Sequence, residues 1–208
     1  MKKVSTILVI AFISVLSFSA CKSEGKKDKV STETTTKSTA DFMVANANND
    51  IKFTAYKTTD KVGVAGWFKK VNVTSGGEGN SVKEAINNTE FSIPVSSLFT
   101  KDTSRDYKIQ KFFFGVMEKT ELLSGKLMIK DATVGVAEIK MNGYTREVPF
   151  TYTIENKIFN MTATIDVNNW NASDALASLN KVCELLHTGA DGVSKTWSEV
   201  SLNITSTF

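Results

Sequence analysis

Histidine and cysteine are scarce in this sequence, and their scarcity excludes several kinds of site. The chain has 208 residues but only one histidine, His187, and two cysteines, Cys21 and Cys183. A single histidine without a nearby cluster of carboxylates does not make a metal site, and at the end of a predicted helix it more often interacts with the helix dipole. If Cys21 is used in the N-terminal processing described below, Cys183 has no partner for an intrachain disulfide.

Motifs that carry catalysis are also missing. The chain has no Gly-x-Ser-x-Gly elbow and no His-Glu-x-x-His pair, and its glycine-rich stretch at 76–79 lacks the lysine of a phosphate loop. The carboxylates Glu118, Glu121 and Glu138 show no spacing that would pair them as acid and base. We therefore predict that the protein is not an enzyme and that it needs no metal or cofactor.

The net charge is small. The formal net charge is +3 and falls to about +1 if a signal segment carrying Lys2 and Lys3 is removed. The remaining lysines are scattered along the chain. A near-neutral globule without a basic cluster argues against nucleic acid as a partner.

The first residues resemble an export signal. Lys2 and Lys3 precede an apolar run at 6–18 that is shorter than the roughly 20 residues of a membrane-spanning helix. Small residues then lead into Cys21, as in a bacterial lipobox. We predict a signal peptide at 1–20 and lipidation of Cys21, which would place the protein in the cell envelope, lipid-anchored and periplasmic or associated with the outer membrane. An ordinary secretory signal cleaved nearby is the alternative.

A polar stretch follows the cysteine. Residues 22–40 are charged and rich in threonine and serine, with Val30 as the one sizeable apolar side chain. Such a segment cannot bury enough apolar surface to fold. We predict a disordered tether at 21–45 and a single folded domain at 46–208.

The dominant period of the folded part is two, which indicates β-strands. Apolar residues alternate with polar ones in about eight or nine runs, and Val148, Phe150, Tyr152 and Ile154 form one of the clearest. Asn142-Gly143 between two such runs is a strong hairpin signal. Consecutive one-faced strands with short turns predict an antiparallel meander that curls into a barrel, with a two-sheet sandwich as the competing architecture.

Three segments depart from this period and predict helices. Ser81 and Glu84 form a capping box before a short helix. The segment 100–111 predicts a turn and a short helix that delivers three consecutive phenylalanines to the sheet. Asp174 to His187 carries an apolar stripe at helical spacing before the last strand.

The order of several motifs resembles the YceI-like family. No single motif is specific, but their order and spacing together are. The resemblance covers most of the chain from Ile51 to Ile204. The helix at 174–187 departs from the family pattern as an insertion, and Glu118 to Leu122 replaces a Pro-x-Ile-x-Phe run. The matching elements are Ile51-Lys-Phe53, Val64-Ala-Gly66-Trp67-Phe68, Ser97-Leu98-Phe99-Thr100, Arg105-Asp106, Phe112-Phe113, Leu123 to Ile129, Gly143 to Val148, and Val200-Ser-Leu202.

This resemblance implies a lipocalin-like antiparallel β-barrel of about eight strands with a short lid helix. It also implies an exported protein that binds a polyisoprenoid or another long-chain lipid without catalysis, for storage or transport, and it allows a homodimer. Arg105 and Asp106 would contact a ligand headgroup, although pairing with each other or capping of the lid helix is the structural alternative. The residues expected to contact the ligand are Phe53, Phe68, Phe91, Phe112, Phe113, Ile129, Phe150, Tyr152 and Met161.

Composition alone does not require a hollow barrel. Thirteen phenylalanines, three tryptophans, four tyrosines and six methionines suit an apolar ligand cavity, but the same side chains can simply fill a core. The alternative function is therefore a ligand-free structural or interaction lipoprotein with a filled barrel.

Overall fold

The computed structural model of the protein describes residues 39–208. The predicted signal peptide, Cys21 and most of the predicted tether lie outside these residues. In the described part, no helix is both long enough and apolar enough to cross a membrane.

The described chain is mostly β-structure with four short α-helices. The strands are β1 (Phe42–Met43), β2 (Asn48–Lys57), β3 (Val62–Phe68), β4 (Asn72–Ser75), β5 (Glu78–Gly79), β6 (Glu90–Pro94), β7 (Leu98–Phe99), β8 (Leu122–Ile129), β9 (Val134–Met141), β10 (Tyr144–Glu155), β11 (Ile158–Asp166) and β12 (Thr196–Thr207). The helices are α1 (Val82–Ile86), α2 (Thr103–Phe112), α3 (Ser173–Val182) and α4 (Glu184–His187).

Ten of the described strands form one antiparallel sheet. Its order is β4-β6-β8-β9-β10-β11-β12-β2-β3-β7, and β1 pairs separately with β5. Side chains from strands throughout this order line one common cavity, so the sheet is strongly curled into a half-barrel. The predicted antiparallel, lipocalin-like architecture is thereby confirmed, and the two-sheet sandwich is not adopted.

The alternation in the sequence gives this sheet an inner and an outer face. Along β10, Val148, Phe150 and Tyr152 are buried while the residues between them are exposed. The β9–β10 hairpin turns at Asn142 and Gly143, with φ values of 49° and 74°. Both residues tolerate the positive φ that a two-residue hairpin requires, so the predicted turn is confirmed.

Helices flank the sheet. The predicted capping box before α1 is present: Glu84 N donates to Ser81 Oγ at 3.2 Å, and the Glu84 side chain accepts from Asn80 N at 2.9 Å. The predicted helix at 174–187 lies before the last strand but forms two helices, α3 and α4. They are separated at Cys183, whose φ and ψ of −114° and 11° leave the helical region.

Folded structure begins before residue 46. Strand β1 and the buried Val44, which is 7% exposed, both lie in the range 21–45 that the composition predicts as a tether. Phe42 also packs edge-on against Phe208, with ring centroids 5.7 Å apart. The polar composition ends at residue 40, and the apolar residues directly after it join the domain.

Candidate ligand-binding cavity

An apolar cavity of about 230 Å³ lies against the inner face of the half-barrel. Its wall consists almost entirely of carbon atoms. The few polar side chains on it have partners within the chain: Asn49 Oδ1 accepts from Ser206 Oγ at 2.6 Å, and Thr89 Oγ1 donates to Ala85 O at 2.6 Å. Lys52 is the one charged residue that borders this cavity, and few free hydrogen-bonding groups face it, so it suits an apolar molecule.

The register of the strands sets the wall of the cavity. Phe53 on β2 pairs with Gly66 on β3, so both positions face inward. A Cβ atom on Gly66 would collide with the Phe53 ring, so only glycine lets the ring lie flat across β3. Phe53 then contacts Phe68, with ring centroids 5.6 Å apart.

Helices α2 and α3 cover one side of the cavity. Ile109 of α2 contributes to its wall, together with Phe114 just after the helix, and α3 contributes Leu176 and Leu179. Helix α2 has no fully buried residue. Because little apolar surface holds it to the body, α2 is the cover that costs least to displace.

The structure places five of the nine predicted ligand residues on the cavity wall. They are distributed over five different elements of the fold, which explains why no local pattern could bring them together. These residues are Phe53, Phe68, Phe91, Phe113 and Met161.

Four predicted ligand residues do not line the cavity. Phe150 and Tyr152 are 3% and 4% exposed and pack in the solid core, with Tyr152 donating its hydroxyl to Asp131 O at 2.6 Å. Ile129 is part-buried at the end of β8 and packs against the core. Phe112 lies on the outside against Tyr107, with ring centroids 6.3 Å apart. A ligand role for these four therefore has no support from the cavity geometry.

The three consecutive phenylalanines separate because the helix ends among them. Phe112 is the last residue of α2, and the chain then turns through Phe113 into a 3-10 turn at Phe114–Val116. Phe113 and Phe114 are both 9% exposed and meet edge-to-face at 5.0 Å. The change of backbone direction thus points two rings inward and one outward.

Sequence reasoning missed several residues of the wall. The predicted ligand residues include neither Phe114 nor Ile109, although both line the cavity. The stripe of Leu176 and Leu179 on α3 was recognised as an apolar helix face, but the period of a helix does not tell what that face covers.

Arg105 and Asp106 have structural partners at the start of α2. Asp106 Oδ1 accepts from both Thr100 N at 2.7 Å and Thr100 Oγ1 at 2.6 Å. Arg105 approaches Asp102 at 3.6 Å, and Asp102 caps the helix by accepting from Arg105 N at 3.0 Å. These contacts fasten α2 to β7, and a headgroup role for the pair stays a prediction.

The Thr100–Asp106 contact supports a prediction. We expect Asp106→Ala to lower the free energy of unfolding by about 1–3 kcal/mol, because the buried Thr100 loses its acceptor. Asp106→Asn keeps an acceptor oxygen and is expected to cost much less. Urea unfolding followed by circular dichroism measures both. Equal losses in the two variants would show that the carboxylate charge, and not its hydrogen bonds, matters.

A polar network borders the cavity beside α3. The Thr196 hydroxyl, on the cavity wall, donates to Asn180 Oδ1 at 2.7 Å and lies 2.6 Å from His187 Nδ1. Since the hydroxyl has one proton, His187 Nδ1 is the donor to Thr196. Partial burial, assisted by the charges of Lys57 and Lys108, lowers the pKa of His187 below its usual range. His187 is therefore uncharged at neutral pH, and its Nδ1–H donates to Thr196.

The lowered pKa predicts a pH dependence of stability. Below the unfolded-state pKa of about 6.5, the unfolded chain binds a proton that the folded chain resists, so stability falls as the pH drops. We expect the thermal midpoint of the native protein to decrease between pH 7.5 and pH 5 more than that of His187→Gln. If the thermal midpoints of the two proteins fell equally over this pH range, His187 would not contribute to the pH dependence of stability.

Among the described residues, the remaining reactive groups form no metal site. In residues 39–208, no group of three or more histidine, cysteine, aspartate or glutamate side chains is placed to hold a metal ion. Cys183 is buried, and burial raises the pKa of its thiol. A thiol with these properties is a poor nucleophile.

Comparisons with known proteins agree with this architecture. The family model described as the YceI-like domain matches residues 35–208. A polyisoprenoid binding domain from Saccharophagus degradans, implicated in plant cell wall breakdown, has a TM-score of 0.55 and 9% identity, covering 76% of this chain and 91% of that chain. BcnA of Burkholderia cenocepacia has a TM-score of 0.51 and 14% identity, covering 80% of this chain and 98% of that chain. At these identities the likeness concerns the fold. A search among curated proteins finds no match.

Proposed function

Since this chain belongs to the YceI-like domain family, we propose that it binds a long-chain apolar ligand, a polyisoprenoid or another lipid, in its half-barrel without covalent attachment. The carbon-lined cavity between the curled sheet and helices α2 and α3 is the observation that carries this proposal. The polyisoprenoid-binding function of the structural neighbour from Saccharophagus degradans supports the ligand class. Storage or transport of the ligand is the role that such binding serves.

The size of the cavity bears on how the ligand fits. Its volume of about 230 Å³ is below the roughly 300–1,000 Å³ of typical small-molecule sites. A long isoprenoid therefore requires α2 to move outward or leaves part of its chain outside. The modest volume is also the observation that favours the second candidate function, a ligand-free structural or interaction protein with an essentially filled interior.

Extraction of the purified protein separates the two functions. The full chain is purified from its native membrane, extracted with organic solvent and analysed by mass spectrometry. A reproducible lipid in stoichiometric amount is expected. Extracts that match a control protein purified in the same way would overturn the proposal and leave the ligand-free alternative.

We also propose export and anchoring through Cys21. The apolar run before Cys21 and the polar residues after it support this part of the proposal. Incorporation of labelled fatty acid into the native chain, and its loss in Cys21→Ala, is the expected result. Equal labelling of the two chains would contradict lipidation at this residue.

A further inference from the structure

Two aromatic side chains on the outer face of the sheet are covered by lysines. Trp67 on β3 pairs with Phe99 on β7, and both point away from the cavity because Phe68, the next residue along β3, lines it. Lys101 Nζ lies 5.1 Å from the Trp67 ring centroid, and Lys69 Nζ lies 4.5 Å from that of Phe99. Lys52 also approaches Trp67, at 5.8 Å.

Helix α2 continues this pattern directly after β7. Tyr107 is 56% exposed, and its hydroxyl accepts from Lys111 Nζ at 2.8 Å. The same Lys111 ammonium lies 5.3 Å from the Tyr107 ring centroid and 5.4 Å from that of Phe112. The two hydrogen bonds between Thr100 and Asp106 hold α2 beside β7, so both sets of rings and lysines lie near the same edge of the sheet, and we call them together the basic aromatic face. Its members are Lys52, Trp67, Lys69, Phe99, Lys101, Tyr107, Lys111 and Phe112.

The charge of this region is positive. Between Val95 and Met117 the chain has four cationic side chains and only two acidic ones, Asp102 and Asp106. Asp102 caps α2 and lies beside Arg105, while Asp106 accepts two hydrogen bonds from Thr100. The exposed Lys69 and Lys70 add to the positive charge at the end of β3. The surface therefore presents more lysines than carboxylates to the solvent: Asp102 and Asp106 are engaged, and the exposed Asp50, two residues before Lys52, is the further acidic residue on that face of β2.

We infer that the basic aromatic face docks on the surface of a bilayer containing anionic phospholipids. Tryptophan and tyrosine favour the headgroup region because their rings are apolar and their edges are polar. Lysines near an anionic membrane surface each add to the attraction, and their carbon chains can lie along the aromatic rings. A lipid surface is the partner that uses both properties of this face together.

The position of α2 gives this docking a consequence. Its Ile109 lines the cavity, while Tyr107 and Lys111 of the same helix belong to the basic aromatic face. Docking therefore brings the membrane against a helix that covers the cavity. A lipid that passes beneath α2 then moves between bilayer and half-barrel without crossing water. This last step rests on the proposed function, whereas docking itself does not.

Site-specific fluorescence tests the docking. In the full chain with Cys21→Ala, a polarity-sensitive nitrobenzoxadiazole label is attached at Tyr107→Cys. The buried Cys183 is the only other thiol, and the unsubstituted background gives its labelling level. Vesicles of phosphatidylglycerol and phosphatidylcholine should shift the emission to the blue, whereas pure phosphatidylcholine vesicles should not. Salt at about 0.5 M should weaken the shift because the attraction is electrostatic.

A matched site on the same chain is the first control. Tyr144 is 40% exposed and lies beside Arg146, whose guanidinium is 5.0 Å from the ring, so it reproduces an exposed cation–tyrosine pair on β10. A label at Tyr144→Cys should show no shift. Because both labelled chains carry the same N-terminal segment, membrane contact of that segment does not explain a difference between them.

Charge reversal is the second control. Lys69→Glu with Lys111→Glu should weaken the vesicle affinity reported by the label at 107 at least about tenfold. Lys130→Glu with Lys140→Glu changes the net charge equally at exposed sites elsewhere and should change the affinity less than about twofold. Circular dichroism of each variant verifies folding.

The outcomes separate docking from ligand binding. Equal shifts at 107 and 144, a shift with neutral vesicles, or a shift caused by double-stranded DNA but not by vesicles would each overturn membrane docking through this face. Lipid recovered by solvent extraction from a protein that fails these tests would leave the proposed function intact. Docking by a protein that holds no lipid would overturn the proposed function alone.

Discussion

Ala55→Trp is expected to abolish lipid retention while the domain stays folded. Ala55 lies on β2, pairs with Val64 and Val200, and its side chain faces the cavity. An indole at this position takes up a large part of a space of about 230 Å³. Because the wall there is apolar, the added ring takes the place of the ligand. The indole N–H is the one polar group that this substitution brings into the cavity.

The control for this prediction lies on the neighbouring strand. Ala65 pairs with Thr54, so its side chain points to the outer face of the same sheet. Ala65→Trp adds the same side chain outside the cavity and should leave the amount of extracted lipid unchanged. Mass spectrometry of extracts measures retention, and circular dichroism measures folding. Full retention in the folded Ala55→Trp variant would show that the lipid is held elsewhere on the protein.

Trp170→Ala is expected to cause the largest loss of stability. Trp170 is 1% exposed in the turn before α3, and its indole N–H donates to Ile139 O at 2.9 Å. Asn142 Nδ2 donates to Trp170 O at 2.8 Å, which ties the β9–β10 hairpin to the same turn. Truncation leaves a cavity and an unpaired carbonyl, so we expect the free energy of unfolding to fall by about 3–5 kcal/mol.

Trp67→Ala provides the comparison for Trp170. Trp67 is part-buried on the outer face, and its ring contacts are with Lys52 and Lys101. Removing it leaves no internal cavity, so the expected loss is below about 1.5 kcal/mol. Urea unfolding of both variants gives the two values. Equal losses for Trp67→Ala and Trp170→Ala would show that the buried Trp170 contributes no more to stability than a tryptophan on the outer face.

The cavity could be predicted from the sequence only where strand alternation determines the direction of a side chain. Phe53, Phe68, Phe91 and Met161 lie in alternating runs, and the curl turns their common face inward. Phe150 and Tyr152 lie in an equally clear run and also face inward. They nevertheless pack in the solid part of the interior, because the filling of a curled sheet depends on what its distant strands and the covering helices contribute.

Helix ends limited the prediction further. The sequence indicated a helix before the three phenylalanines, but whether it ends at Phe112 or one residue later decides which ring faces water. Element boundaries shift by one or two residues with small changes in hydrogen bonding. The same limit applies to the segment 174–187, where the apolar stripe was evident and the break at Cys183 was not.

The residue pattern alone predicts the antiparallel one-faced strands, the hairpin at Asn142-Gly143 and the capping box of α1. These features follow from alternation, positive φ and capping, which are properties of residues close together in the chain. Only the tertiary structure decided which inward side chains border empty space and which fill the core. It also brings Trp67 and Phe99 together on the outer face of the sheet. Both depend on contacts between residues far apart in sequence, which local periodicity does not encode.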